Sequence, residues 1–203
     1  LLVTCLLKMI FDAWKDSNIP YLEQIVKEHK VNENSTVSDH CKSMWNTKPI
    51  STPKFPWTLK NVNSKSEKIL QHLQNIMHQF YWFQNTSPQW TGVNEGRSDQ
   101  SCVIVGDLLH APIRSNKLLL GMMFIEANNV YPAHAHDAKE VYYILAGTCF
   151  VKGNSNKCEE KRAGDIVIHE PNEVHALETK DESVLIVWGN TGNIHGNYYY
   201  LDD

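Results

Sequence analysis

The residues best suited to chemistry lie in one stretch, Tyr131-Pro132-Ala133-His134-Ala135-His136-Asp137-Ala138-Lys139-Glu140-Val141-Tyr142-Tyr143. In an extended chain successive side chains alternate between two faces. His134, His136, Glu140 and Tyr142 share one parity, so a strand that keeps its register points all four into one space. Two imidazoles and a carboxylate converging there make a site for one divalent first-row metal ion. Zinc, iron, manganese, cobalt and nickel all accept such donors, so the residue types do not choose the ion.

A fourth ligand is expected from a distant strand. Gly164-Asp165-Ile166-Val167-Ile168-His169-Glu170-Pro171-Asn172-Glu173-Val174-His175 supplies it. Gly164 makes a turn, 165–168 forms a strand, Pro171-Asn172 turns the chain, and His175 opens the next strand pointing inward. Three histidines and one glutamate leave positions open for water or substrate, as catalysis requires. A lone histidine is more often a surface or satisfied core residue, and His-x-His alone is a weak signal. The whole spacing, with Gly147 behind Glu140 and a Gly…Pro…His element further on, is far more specific. His169 and Glu170 precede Pro171 and read as surface residues rather than as lining the barrel mouth, and Lys139 as solvent-facing.

The elements that must hold these residues change character near residue 100. Before it the period is helical: Leu6, Leu7, Ile10, Phe11 and Trp14 recur at three- and four-residue steps. Pro20 fits the first position of a second helix carrying Leu22, Ile25 and Val26. Ser64-Lys65-Ser66-Glu67 reads as a capping box opening a helix with Ile69, Leu70, Leu73, Ile76, Met77 and Phe80 on one face. Residues 31–63 read as a polar loop with Trp45 and Trp57 as anchors, and 84–96 as a linker. After residue 100 short strands are expected at 102–109, 117–127, 141–152, 165–169, 174–179 and 183–188, with a last edge at 198–201. Many short strands in about 100 residues indicate a sandwich or a small barrel. No internal repeat or low-complexity tract is present. The expected organisation is a helical region at 1–98 and a β-barrel domain at 99–203, forming one compact unit.

Composition sets the outer bounds. The chain has 203 residues, 42% apolar and 21% charged, with a formal net charge of −4. That composition excludes a disordered or fibrous protein. A mildly acidic chain without a basic block is a poor nucleic-acid binder. No run of 18 apolar residues occurs, so no membrane-spanning helix is expected. The five cysteines include no Cys-x-x-Cys pair, and free thiols are expected. Asn34-Ser35-Thr36 and Asn85-Thr86-Ser87 are acceptor sequons that matter only in a secreted protein. The opening Leu1-Leu2-Val3-Thr4-Cys5-Leu6-Leu7 has no basic residue before it and reads as an amphipathic helix rather than a targeting remnant. A soluble protein is expected, with a cytoplasmic location slightly favoured.

His134, His136, Glu140 and Gly147 match the first cupin motif in full, and Gly164, Pro171 and His175 resemble the second. Glu173 replaces the usual glycine after the proline, and the second motif's spacing is one residue off at two points. The resemblance implies a mainly β protein, a cupin double-stranded β-helix (a small β-barrel) with an N-terminal α-helical extension. The run Tyr131 through Gly147, with Pro171, His175-Ala176 and Trp188-Gly189, is similar to the bacterial cupin-type dimethylsulfoniopropionate lyases. This likeness spans roughly residues 65–190 and is dense only at 131–147 and 164–178.

The family reaction is a β-elimination giving dimethyl sulfide and acrylate from a small sulfonium carboxylate. The resemblance implies that a metal held by His134, His136, Glu140 and His175 binds the substrate carboxylate as a Lewis acid. It points to Tyr142 and Tyr131 for the α-proton, with Tyr142 the first choice as base and Tyr131 as base or substrate-positioning group. A phenol near pKa 10 needs a neighbouring cation to reach the phenolate. A permanent sulfonium cation should be surrounded by aromatic faces. Trp188 and Phe124 are the substrate-binding candidates, while Tyr143 has the wrong parity. Tyr198-Tyr199-Tyr200 reads as an edge strand or interface. Cupins often pair through sheet edges, so the resemblance also implies a homodimer. The alternatives are another metal-dependent cupin enzyme, such as a dioxygenase or isomerase, and a non-enzymatic ligand-binding cupin.

Overall fold

The helical period at the start of the chain becomes α1, Leu2–Lys15, which buries Leu6, Leu7, Ile10, Phe11 and Trp14. The structure is a computed structural model, and it describes residues 2–29, 47–55, 62–85, 99–107, 110–154 and 157–201. Trp45, Trp57 and Cys41 lie outside those residues. Helix α2, Pro20–Glu28, starts on its proline, whose missing N–H has no partner to lose there. Helix α3, Ser64–Ile76, buries Ile69, Leu70, Leu73 and Ile76.

The capping box is corrected by one residue. Asn63 is the cap, and its Oδ1 accepts from Lys65 N at 3.0 Å and Ser66 N at 2.8 Å. Ser64 is already helical, and Ser66 turns inward to meet Tyr143 Oη at 3.3 Å. A 3-10 turn at Met77–Gln79 then leads into a strand where the linker was expected to begin. Trp82 and Phe83 are both buried there, so the segment lacks the alternation that marks a one-sided strand.

The strands are β1 Thr47–Pro49, β2 Trp82–Asn85, β3 Gln100–Val105, β4 Leu118–Ile125, β5 Val130–His136, β6 Ala138–Lys152, β7 Cys158–Arg162, β8 Ile166–His169, β9 His175–Glu178, β10 Val184–Gly192 and β11 Tyr198–Tyr200. They join in the order β1-β2-β3-β4-β10-β6-β9-β5-β11, with β7 and β8 also on β6. Every strand pair is antiparallel. β7 escapes a search for apolar alternation because Cys158-Glu159-Glu160-Lys161-Arg162 is polar; it joins the sheet by backbone pairing with β6.

The 15-residue β6 is the spine. It pairs with β10 and β8 at its start, and with β7 and β9 at its end. Gly147 sits at φ +82°, and a Cβ there would lie 1.9 Å from the Ser183 carbonyl oxygen, so the motif glycine is required by backbone crowding. The sheet curls into the cupin arrangement, mainly β with helices at the N-terminus. Its outer face, with Val141, Tyr143, Leu145, Leu185 and Val187, packs in one cluster with Leu6, Trp14 and Leu73 of the helices. Its inner face gathers Tyr131, Tyr142, Ile144, Leu177, Ile186 and Trp188. β1 and β2 come from before residue 99, so the N-terminal region contributes strands as well as helices. Among the described residues no helix is long and apolar enough to cross a membrane.

Candidate metal centre

The pleat of β6 turns Glu140 and Tyr142 inward and Val141 and Tyr143 outward, as the parity of the motif requires. β5 delivers His134 and His136, and β9 pairs His175 directly with His134. Donor atoms of His134, His136, Glu140 and His175 all lie within 4.8 Å of one another, and all four residues are buried. A register shift on β5 between Tyr131 and His134 removes the odd spacing between them. A bulge of this kind re-aims a side chain, and it brings the Tyr131 ring to 4.7 Å from that of His134.

The histidines are oriented alike. Nδ1 of His134 donates to the Pro132 carbonyl at 2.8 Å, that of His136 to Ala138 at 3.0 Å, and that of His175 to Glu173 at 2.9 Å. A carbonyl only accepts, so the proton sits on Nδ1 and Nε2 is left as the ligating atom. Nε2 of His136 and of His175 then face Glu140 Oε2 at 3.1 and 3.0 Å. Lone pairs crowded in this way call for protons or a cation between them, and the donor set suits a divalent ion.

The electrostatics agree. Burial opposes ionisation of Glu140, but its bonds to His136 and His175 outweigh that and hold the carboxyl well below the ordinary range. Burial also works against the His136 imidazolium, yet the Glu140 contact wins and raises it. His134 is pushed well down by burial and by His175. Tyr142 and Tyr131 are pushed well up, first by burial and then, for Tyr142, by the Glu140 charge. A cation held among these four residues would act in the opposite direction on both phenols.

Two residues beside Glu140 went unrecognised in the sequence. His169 is in register with Glu140 and is 2% exposed, not a surface residue. Its ring stacks on His175 at 3.9 Å and 8°, and lies 5.2 Å from that of Tyr142. Neither of its nitrogens has a hydrogen-bond partner among the described residues. Burial and His175 lower it to about 3, so it is neutral. On the other side β10 places Asn190 in register with Glu140. With its amide nitrogen turned to the carboxylate, Asn190 donates to Glu140 Oε1 at 3.2 Å. The period-2 pattern into Pro171 carried the signal for His169, which has the parity of an inward residue when β8 is aligned on β6. Asn190 left no comparable signal.

Trp188 lies opposite Tyr142 on β10, and its indole needs the bare Gly121, where a Cβ would stand 2.4 Å from Cζ2. Phe124 is not brought to this space. It faces outward, edge to face with Phe55 at 5.1 Å in the layer under the helices. The C-terminal strand lies against the histidine cluster instead. Tyr198 stacks at 5.2 Å on His134 and 5.6 Å on His136, each at 20°. Cys5, Cys102, Cys149 and Cys158 are free.

Residues 24–186 match the family model for dimethylsulfoniopropionate lyase. The chain belongs to that family. It is 32% identical over 79 residues to the dimethylsulfoniopropionate lyase DddQ of Ruegeria pomeroyi, a stretch covering 38% of this chain and 39% of that curated relative. A solved structure of DddQ from Ruegeria pomeroyi aligns with TM-score 0.71 and 19% identity over 98% of this chain and 95% of that one. A structure from work on the lyases RdDddP and RnDddQII aligns with TM-score 0.76 and 14% identity over 99% and 98%. At those identities the structural likeness speaks for the fold, and the family model carries the membership.

Proposed function

We propose that this chain is a metal-dependent dimethylsulfoniopropionate lyase, releasing dimethyl sulfide and acrylate by β-elimination. The observation that carries the reading is the buried His134, His136, Glu140 and His175 set, with Tyr142 on the same face, inside the span of the lyase family model. A divalent transition metal ion held by these four residues would supply Lewis-acid polarisation of the substrate carboxylate, which acidifies the α-carbon.

Tyr142, as phenolate, takes the α-proton. The C–H electron pair becomes the new carbon–carbon double bond, and the C–S pair leaves on sulfur as neutral dimethyl sulfide. Tyr131 contributes its hydroxyl beside His134, as a substrate-positioning group or a second base. Trp188 closes the inner wall next to Tyr142. The Nδ1 bonds of the three histidines and the Asn190 amide fix the donor atoms before substrate arrives, which removes reorganisation from the reaction. Residues 1–98 and 99–203 act as one unit in this reading, supported by the single apolar cluster joining helices to sheet. Pairing of two chains through a sheet edge belongs to the same proposal and is checked by light scattering.

Headspace gas chromatography tests the reaction. Purified protein loaded with each of several divalent metals is supplied with dimethylsulfoniopropionate, with and without a chelator, beside His136→Ala. Dimethyl sulfide is expected only from the metal-loaded wild type. No gas with any metal would sink the lyase reading and favour another cupin chemistry.

A further inference from the structure

We propose that Tyr198 is the wall residue that selects the onium end of the substrate, with Tyr131 and Tyr200 completing an aromatic box beside the ligands. The proposal rests on the lyase reading and extends it to the group that leaves. β11 runs antiparallel to β5, with Tyr198 in register with His136 and Tyr200 with His134. Residues in register share a face, so both tyrosines turn toward the ligands and Tyr199 turns away. The Tyr198 ring lies at 20° to each of the two imidazoles, and its hydroxyl meets that of Tyr131 at 3.0 Å. Tyr200 stands edge-on to Tyr198 at 5.3 Å and 6.0 Å from His134.

Burial divides along this wall. His134 is 1% and His136 5% exposed, whereas Tyr198 keeps 37%. Tyr198 therefore separates the ligands from solvent, and a molecule bound at the ligands lies against it. The substrate is a zwitterion. Its carboxylate suits the metal side, and its sulfonium carries no N–H or O–H and cannot be recognised by a hydrogen bond from its own charge. A ring face is the recognition such a cation accepts.

The motif itself holds this wall in place. Asp137, next to His136, accepts from Asn197 N at 2.9 Å and Asn193 Nδ2 at 3.2 Å through Oδ2. Its own N–H donates to Asn197 O at 3.1 Å, and Leu201 N donates to Ala133 O at 2.9 Å beyond Tyr200. Asp137 and Ala133 thus fasten β11 at both ends of the tyrosine run.

Calorimetric binding to the metal-loaded protein tests the wall with two probes of matched shape. One is 3-(trimethylammonio)propionate, with a permanent cation. The other is 4,4-dimethylpentanoate, its neutral tert-butyl isostere. Tyr198→Leu is expected to weaken the cationic probe about tenfold, the size of a partly desolvated cation–π contact, and to leave the neutral probe within about twofold. Tyr198→Phe, which keeps the ring, should preserve the preference. Equal weakening of both probes, an unchanged cationic probe in Tyr198→Leu, or loss of the preference in Tyr198→Phe would each overturn the assignment. The probes report binding without turnover. Unchanged discrimination in Tyr198→Leu, in an enzyme that still releases dimethyl sulfide, therefore overturns the wall and leaves the lyase reading standing.

Discussion

Tyr142 and Tyr143 are neighbours on β6, identical in chemistry and both almost fully buried. Tyr142 points inward, 5.2 Å from the His169 ring and 6.0 Å from that of His175. Tyr143 points outward, where its hydroxyl meets Ser66 of α3 at 3.3 Å. The same contrast runs along the sheet. The inner face collects histidines, a carboxylate and an amide that answer one another's charge. The outer face of the same strands is apolar and is covered by α1 and α3. One pleat thus separates a polar reaction space from the packing that holds it rigid. Burial makes this economical: groups inside interact strongly because water is excluded, and water is excluded because the outside is sealed by helices.

The sharpest way to break the contrast is to remove one hydroxyl from each side. Tyr142→Phe is expected to lower kcat by about 10²–10⁴, the usual contribution of a positioned acid or base. The melting temperature should hardly move, because the ring stays. Steady-state headspace kinetics beside a thermal melt measure both. A variant with full kcat would remove Tyr142 as the base and turn attention to Tyr131.

Glu140→Gln attacks the inner face through the metal. The amide loses the charge that His136 and His175 address at Oε2. Even changes to groups behind the ligands cost about 10–100-fold in metal affinity, so loss of a ligand charge should exceed about 100-fold. Competition with a chromogenic chelator reads this directly. Affinity equal to wild type would mean that Glu140 is not a ligand.

How far this face was legible in the sequence depends on spacing. His134, His136, Glu140 and Tyr142 could be placed together because a strand has period two and their parity matched. His175 was legible through the turn formed by Pro171 and Asn172. Tyr131 has the opposite parity to His134, and the shift on β5 that realigns it has no residue signature. The outward placement of Phe124 could not be read because an all-apolar strand gives no hint of which face is inward: all eight residues of β4 are buried. β7 lacked apolar alternation altogether. Asn190, Tyr198 and Tyr200 depend on cross-strand register over 50 residues or more, which local pattern does not carry.

His169 refines the comparison at a smaller scale, since it supports the inner face without offering a bonded nitrogen. Its ring backs His175 at 3.9 Å in a near-parallel stack. His169→Ala should free that ring to tilt and weaken metal binding by about tenfold, the lower end of supporting-shell effects. His169→Phe keeps a flat ring in the same place and should restore most of the affinity. If Phe and Ala weaken binding alike, the imidazole nitrogens matter and the stacking account is wrong; if neither weakens it, the stack does not support the site.

The smallest effect belongs to the outer partner of the opening pair. Tyr143→Phe deletes the hydroxyl that meets Ser66 and leaves the ring in the layer under α3. A typical intramolecular hydrogen bond contributes about 0.5–1.5 kcal/mol net, and a contact of 3.3 Å between two hydroxyls belongs at the weak end of that range. Urea unfolding should show a loss of about 0.5–1 kcal/mol with an unchanged slope, since no surface is newly exposed. Turnover and metal affinity should equal those of the wild type, because the backbone of β6 is held by β10 and β8 on either side and does not depend on this bond. A fall in kcat in Tyr143→Phe, with stability barely changed, would show that the outer layer tunes the reaction and that the pleat does not insulate one face from the other.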